Sequence, residues 1–385
     1  MKRGAFDAIA PYQVLFPLGA AHAVVGASTW VLFALNLMPY PARIHAHHMF
    51  AGFLLSFVTG FLMTAVPSFT GTAKRSNLEL ALAAALSIAS FFTESYLPAF
   101  LTLLFLGVFF LSRMMTKAAT PPPHFIFIPI GLIIGIVGTS LATLYQFNIV
   151  GSNSYEIARV LIFYGMMLSF ILGIGAKLIA AFLGWSEPPT HMSPANRRVR
   201  DATKPPWTLR RSTPFLQAVL FLAGLATELF YHQSLGRTML AVCASWIAVQ
   251  EWRLYLRPRA KGKLPFWTWV AAWLLLIGLW VHALMPELGV HAAHLMFIGG
   301  FGLITLLVAS RVTLAHGSEG IALESTSRIY LVTAALVISA TATRFVAQWT
   351  PSYVQHLGYA AVLWIFAILC WSAFFIPRML FRREP

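Results

Sequence analysis

The feature that most constrains this chain is a series of long apolar stretches, each about the length of a bilayer-spanning helix. Such a helix needs about 20 mainly apolar residues. Charged residues are only 10% of the chain and the mean hydropathy is +0.74, whereas a soluble domain has roughly 25% charged residues. The sequence therefore predicts an all-α, polytopic membrane protein with about 12 transmembrane helices. The expected spans are residues 13–38, 48–68, 77–93, 96–116, 124–148, 156–183, 214–233, 235–255, 265–286, 290–315, 325–348 and 356–380.

The longest interruption between apolar stretches, residues 184–213, is rich in proline and arginine. It divides a single membrane domain, residues 1–385, into two predicted six-helix halves, 13–183 and 214–380. If the N-terminus lies inside, 23 of the 27 lysines and arginines fall on the inner side. The positive-inside rule then predicts that both termini and the linker are cytoplasmic. The four basic residues left outside are Arg43, Arg159, Arg237 and Arg344.

The net charge of +15 does not indicate a nucleic-acid partner, because the basic residues lie in loops between spans. The lipid bilayer is the expected partner. Cys243 and Cys370 both lie within apolar stretches and suggest neither a disulfide framework nor a thiolate metal site. No Cys-x-x-Cys-His run occurs, so any haem is held noncovalently.

Histidines show the opposite asymmetry from the basic residues, because eight of the 12 fall near predicted outer ends of spans. These eight are His45, His47, His48, His232, His282, His291, His294 and His356. Two groups stand out, since His45-Ala-His47-His48 and His291-Ala-Ala-His294 each open an apolar stretch. Neutral imidazole binds copper and haem iron, and histidine near a lipid core is expected to have a function.

We therefore expect His45, His47, His48, His291 and His294 to bind metal or haem. The alternative is a polar cap where lipid meets water. On a helix, His45 and His48 would share a face and His47 would point elsewhere. The glycines after the second pair, at 299, 300 and 302, permit close approach of either a neighbouring helix or a flat macrocycle.

Four further residues are candidates for supporting roles. Glu228 lies four residues before His232, so it is expected either to orient that imidazole or to carry protons. His22 lies within the first span and is expected either to be hydrogen-bonded in the core or to bind haem. Arg344 could pair with haem propionates, because its planar fork matches carboxylates, or could extend to the headgroups.

Two stretches of the chain resemble the NnrS family. Residues 43–53 read RIHAHHMFAGF and residues 64–71 read TAVPSFTG, whereas the family pattern is approximately His-Ala-His-Glu-Met followed by Leu-Thr-Ala-Val-Pro-Asn-Trp-Thr-Gly. His48 replaces the usual Glu, Ser68 the Asn and Phe69 the Trp. A third stretch, from His294 to His316, is similar to a later and looser family pattern of spaced glycines followed by Arg-x-x-Leu.

The resemblance implies a protein of the bacterial inner membrane that contains haem b and copper and is linked to nitric oxide and nitrosative stress. It implies that His45, His47 and His294 are the positions nearest to metal. The reaction that this implies is reduction of nitric oxide to nitrous oxide near the periplasmic face, as in a nitric oxide reductase-type oxidoreductase with an unknown electron donor. Two alternatives stay open: a haem or copper carrier or sensor without turnover, and a quinol-linked electron-transfer protein with bis-histidine haem.

Overall fold

The computed structural model describes residues 9–185, 212–317 and 322–380, and this part of the chain is helical with no strand. Twelve long helices follow one another, which confirms the prediction of an all-α architecture. In chain order they are α1 (Pro11–Ala34), α2 (Ala42–Thr70), α3 (Asn77–Phe92), α4 (Leu97–Met115), α5 (Pro123–Gln146), α6 (Ser152–Phe182), α7 (Thr213–Phe230), α8 (Gln233–Ile247, extended by Ala248–Trp252), α9 (Lys263–Leu284), α10 (Pro286–His316), α11 (Ile329–Trp349) and α12 (Tyr353–Leu380).

Ten of these helices within the described residues are long and apolar enough to cross a membrane. The other two are α3, which is apolar but has only 16 residues, and α8. A multi-pass membrane protein is therefore the fold, while the count of twelve spans and the cytoplasmic position of the termini stay predictions. The linker predicted at residues 184–213 lies almost wholly outside the described residues.

Helix boundaries follow from local chemistry. α3 begins with a capping box in which Ser76 accepts from the backbone N–H of Glu79 and the Glu79 carboxylate accepts from that of Ser76. The chain turns between α9 and α10 at Pro286 and Gly289, and Gly289 has a positive φ of 47°. This turn brings His291 and His294 into the first turns of α10.

The helices pack largely on their neighbours in sequence, and α12 returns to pack against α1. Small residues allow the closest approaches. A Cβ atom on Gly300 would lie 2.9 Å from Leu275 of α9, and one on Gly302 would lie 2.7 Å from Trp364 of α12. Of the two roles that the sequence left open for the α10 glycines, close approach of a helix or of a flat macrocycle, the structure shows close approach of helices at Gly300 and Gly302.

Candidate functional site

A cavity of about 580 Å³ lies within the bundle, at the end where α2 and α10 begin. Nine of the twelve helices contribute to its wall, and only α3, α4 and α7 do not. The charge pattern predicts that this end of the bundle is the periplasmic one. Because the cavity joins side chains from both halves of the chain, it is the place where distant residues can act together.

Three of the wall helices widen into π-helical segments beside the cavity, at His47–Leu54 of α2, Val160–Met166 of α6 and Leu295–Gly302 of α10. Such segments are rare and are often found at functional sites. A π-helical segment has more residues per turn than an α-helix, so it changes the direction of the side chains that follow it. All three segments supply cavity-lining side chains.

The aromatic side chains of these π-helical segments form one connected layer of the wall. Phe50 of α2 stacks on Phe163 of α6 with ring centroids 4.2 Å apart and meets Phe297 of α10 edge-on at 5.1 Å. Tyr164 of α6 lies 5.4 Å from Phe297. The layer is apolar and flat-sided, which suits an apolar planar ligand.

His45 and His294 both line this cavity, so the two repeated histidine patterns converge. His45 Nδ1 lies 2.8 Å from the Gly26 carbonyl oxygen, and His294 Nδ1 lies 2.6 Å from that of Val290. Because a carbonyl oxygen only accepts, each Nδ1 carries the hydrogen and each Nε2 keeps a lone pair. A ring nitrogen held in this way by a backbone carbonyl is the usual arrangement of a metal-binding histidine.

His282 of α9 is a third imidazole of the cavity wall, although in the sequence it belongs to neither of the two histidine groups. Its ring is buried and stacks on Tyr164, with centroids 5.0 Å apart and planes 6° from parallel. Neither ring nitrogen has a hydrogen-bond partner among the described residues. His282 is therefore a further candidate for contact with a cavity ligand.

All four arginines that the charge rule left on the outer side line the cavity. Three of them have a carboxylate partner: Arg43 with Glu94 at 3.4 Å, Arg159 with Glu156 at 2.9 Å, and Arg237 with Glu228 at 3.0 Å. The first two of these ion pairs are exposed and the third is buried.

Arg344 is different, because it is only 7% exposed and takes part in none of the ion pairs of the described residues. Its Nη1 donates a hydrogen bond to His291 Nδ1 at 2.8 Å. His291 Nδ1 is thereby occupied and orients Arg344, while binding of metal by this histidine stays a prediction. A buried cation without a counter-charge is costly, and the cavity is the place where an anionic group could compensate it.

Glu228 is 8% exposed and receives a hydrogen bond from Arg237 Nε through Oε1, while its Oε2 is buried without a partner among the described residues. Glu228 thus lies behind the cavity wall and holds one of its arginines. His232 is exposed, and its Nδ1 accepts from the Leu235 backbone N–H at the start of α8. The expected contact between Glu228 and His232 is therefore replaced by this helix cap.

His47 and His48 do not line the cavity and form a second cluster with His22 of α1. His22 Nδ1 and His48 Nδ1 are 2.9 Å apart, and the rings of His47 and His48 have centroids 5.5 Å apart. His45 and His48 both meet α1 at Gly26, since His45 Nδ1 lies 2.8 Å from the Gly26 carbonyl oxygen and a Cβ atom on Gly26 would lie 2.8 Å from His48 Cβ. As they stand, the described residues contain no group of three or more His, Cys, Asp or Glu side chains with the arrangement of a metal site.

Comparison with known families identifies the chain. The family model described as NnrS protein matches residues 8–383, nearly its whole length. This chain belongs to the NnrS family. No curated protein matches it significantly. NnrS proteins are membrane proteins linked to the response to nitric oxide, and in this NnrS chain the cavity beneath the repeated histidines is the candidate functional site.

Proposed function

We propose that this NnrS protein binds haem b in the cavity and acts on nitric oxide there. The observation that carries the proposal is that His45 and His294, each with Nδ1 held by a carbonyl, line the same cavity as the uncompensated Arg344. Haem b brings an iron that accepts imidazole and two propionates that need cationic partners. The residues present therefore fit this group.

One of His45 and His294 would hold the iron through Nε2, so that the iron could still bind nitric oxide, and Arg344 would pair with a propionate. The exposed Arg43 and Arg159 lie in the same wall and would add positive potential at its rim. The layer formed by Phe50, Phe163 and Phe297 would pack against the macrocycle. Copper is the second metal that we propose for the chain.

Reduced haem iron, when present, supplies a site that binds nitric oxide directly. Nitric oxide is small and apolar, so it enters through an aromatic wall without a polar channel. Its reduction, in which two NO, two electrons and two protons give N2O and H2O, requires a proton route and an electron donor. Glu228 is the proposed proton carrier, because its buried and unpartnered Oε2 lies behind the cavity-lining Arg237.

This assignment makes the chain an oxidoreductase of the bacterial inner membrane that works at the periplasmic face in nitrosative-stress defence. It is tested with detergent-purified protein from cells supplied with haem. The optical spectrum is expected to show a haem b band that shifts when nitric oxide is added to the reduced protein, and headspace analysis is expected to show nitrous oxide once an electron donor is supplied.

The variants His45→Asn and His294→Asn are expected to lose or shift the haem band. His124→Asn is a matched control, because His124 is also buried but binds Gln217 at the opposite end of the bundle. Purified wild-type protein without a haem band, after expression with added haem, would contradict the proposal.

A second candidate function is electron transfer through a bis-histidine haem. It is favoured by one observation, that both cavity histidines have a free Nε2. In that case the reduced protein would show the spectrum of a six-coordinate haem that does not change when nitric oxide is added. The same titration therefore separates the two functions.

A further inference from the structure

A buried carboxylate lies at the end of the bundle opposite the cavity. α10 begins at the cavity and reaches Arg311 about 25 Å further along its axis. The short helix Leu323–Thr326, which precedes α11, holds Glu324 against this arginine, and Arg311 Nη1 donates to Glu324 Oε2. The Glu324 side chain is only 8% exposed. The charge pattern predicts that this end of the bundle faces the cytoplasm.

Only one oxygen of the Glu324 carboxylate has a protein partner. Its Oε1 is buried and has no hydrogen-bond partner among the described residues. The pair formed by Glu79 and Arg113, also at this end of the bundle, is different, because Arg113 donates to both Glu79 oxygens at 2.7 and 2.9 Å. A buried acceptor without a donor is costly. Glu324 Oε1 therefore requires a donor that the described residues do not supply.

Two hydroxyls of α11 are in the same situation. Tyr330 and Thr333 stand three residues apart, so they share a face of the helix, and they are 2% and 3% exposed. Neither hydroxyl has a partner among the described residues, whereas the Thr341 hydroxyl on the same helix bonds the Val337 carbonyl. Glu324 is close enough to Tyr330 to interact with it electrostatically. Unpaired groups of this kind fit buried water, which makes about three hydrogen bonds to them.

A seam between α10, α11 and α12 leads from this cluster to the cavity. Within it, Trp371 Nε1 donates to Ser310 Oγ at 2.9 Å. Trp364 lies about 10 Å further along α12 and lines the cavity, and its buried Nε1 has no partner among the described residues. The buried face of α11 that carries Thr333 ends at Arg344 in the cavity wall. Four of the eleven buried side-chain atoms without a described partner therefore lie along this one seam.

We propose that Glu324, Tyr330 and Thr333 form a water-linked proton-binding site, from which protons enter the α10–α11–α12 seam toward the cavity. Buried carboxyl groups inside membrane proteins are frequent members of proton relays. A proton from water on the inner side adds to Glu324 Oε1, and a proton then leaves to the next water in the seam, so no group is oxidised or reduced. Use of the protons at the cavity rests on the proposed function, whereas proton binding at Glu324 does not.

The charges around Glu324 suit reversible protonation near neutral pH. Burial raises the pKa of Glu324 to about 7, although the Arg311 guanidinium opposes this shift. Lys263 of α9 does not add a second ion pair, because its Nζ donates to the Thr326 carbonyl at 3.1 Å. The charged and titratable groups at this end of the packed helices are Lys263, Arg311, His316, Arg328, Tyr330 and Arg378.

Infrared spectroscopy of the full-length protein in detergent tests the site without haem or nitric oxide. A carboxylic C=O band is expected to disappear with a midpoint near pH 7 as the pH rises. Glu324→Gln is expected to lose this band, and Tyr330→Phe and Thr333→Val are expected to shift its frequency, because each removes a group that holds the water. Glu79→Gln is the matched control and should keep the band unchanged. A band that persists in Glu324→Gln, or no band in the wild type, would overturn the site.

The water is tested by X-ray radiolysis, which forms hydroxyl radicals from bound water and labels the side chains beside it. Mass spectrometry is expected to find label on Tyr330 and Trp364. Trp252 is the matched control, since it is buried but its Nε1 donates to the Gly175 carbonyl at 3.0 Å, and it should stay unlabelled. Tyr330 without label would show that the seam is dry and would overturn the proposal.

The link to the cavity is tested with haem-loaded protein supplied with nitric oxide and an electron donor. Glu324→Gln is expected to keep the haem band but to lower nitrous oxide production at least about tenfold, whereas Glu79→Gln should not. Full production by Glu324→Gln would overturn the route along the seam. Wild-type protein that has the titrating carboxyl band but no haem would contradict the proposed function and support the proton-binding site.

Discussion

Replacing Arg344 with glutamine distinguishes between two roles of this arginine, binding of a ligand and stabilisation of the fold. If Arg344 awaits an anionic group, its substitution has opposite effects on the haem-free and the haem-loaded protein. In the haem-free protein the buried guanidinium has no carboxylate partner among the described residues. Removing it relieves an uncompensated charge, although His291 Nδ1 then loses a donor worth about 1–3 kcal/mol.

These two effects roughly cancel, so the melting temperature of haem-free Arg344→Gln is expected to equal or exceed that of the wild type. The haem-loaded protein behaves differently, because the substitution leaves a propionate without its partner. Breaking a buried ion pair costs about 3–5 kcal/mol. At about 1.4 kcal/mol for each factor of ten, the dissociation constant for haem is expected to rise by roughly two to three orders of magnitude.

The assay is a haem titration followed by absorbance, together with thermal melting of the haem-free protein followed by tryptophan fluorescence. Arg159→Gln is the matched control, since Arg159 lines the same cavity but is exposed and already paired with Glu156. An exposed pair contributes about 0–1 kcal/mol, so its effect on haem affinity should stay below roughly fivefold. A large drop in the haem-free melting temperature of Arg344→Gln with unchanged haem affinity would refute the reasoning.

Two further predictions concern buried carboxylates. Glu228→Gln leaves Arg237 without its counter-charge and is expected to destabilise the protein by about 3–5 kcal/mol, as measured by thermal melting. Nitrous oxide production per folded protein, measured by headspace analysis, is also expected to fall. Unchanged production per folded protein would count against proton transfer through Glu228. Burial raises the pKa of Glu324 to about 7, against the opposing effect of Arg311. This pKa lies above the unfolded value near 4.5, so protonated Glu324 favours the folded state. Its contribution to the free energy of unfolding is complete below about pH 4.5 and is lost as the pH rises through 7. The free energy of unfolding is expected to fall by about 3 kcal/mol over this pH range. Melting curves of Glu324→Gln recorded across the same range should lack this fall.

Much of the architecture was accessible from the sequence, because apolar length and the position of charge are imposed by the bilayer itself. The repeated histidine patterns also pointed to two helices that meet at one cavity, since both His45 and His294 line it. The four exceptional arginines were visible as exceptions to the charge rule. Their common position around the cavity could not be predicted, because it depends on the packing of α2, α6, α8 and α11.

The finer assignments required side-chain directions that periodicity does not give. His45 and His48 both meet Gly26 of α1, but His45 lines the cavity whereas His48 reaches His22. His291 belongs to the same short pattern as His294, but its Nδ1 receives Arg344. His282 stands alone in the sequence, and only its stacking on Tyr164 and its place in the wall distinguish it.

The repeated histidine pattern therefore specifies more than two pairs of histidines. In both α2 and α10 the cavity histidine stands immediately before or close to a π-helical segment, at His47–Leu54 and Leu295–Gly302. The two segments meet through Phe50 and Phe297, whose ring centroids are 5.1 Å apart. His45 and Phe50 of α2, and His294 and Phe297 of α10, all line the cavity. The pattern thus positions a nitrogen donor and a flat apolar surface together, on two helices at once, which is the combination that a planar iron-containing ligand requires.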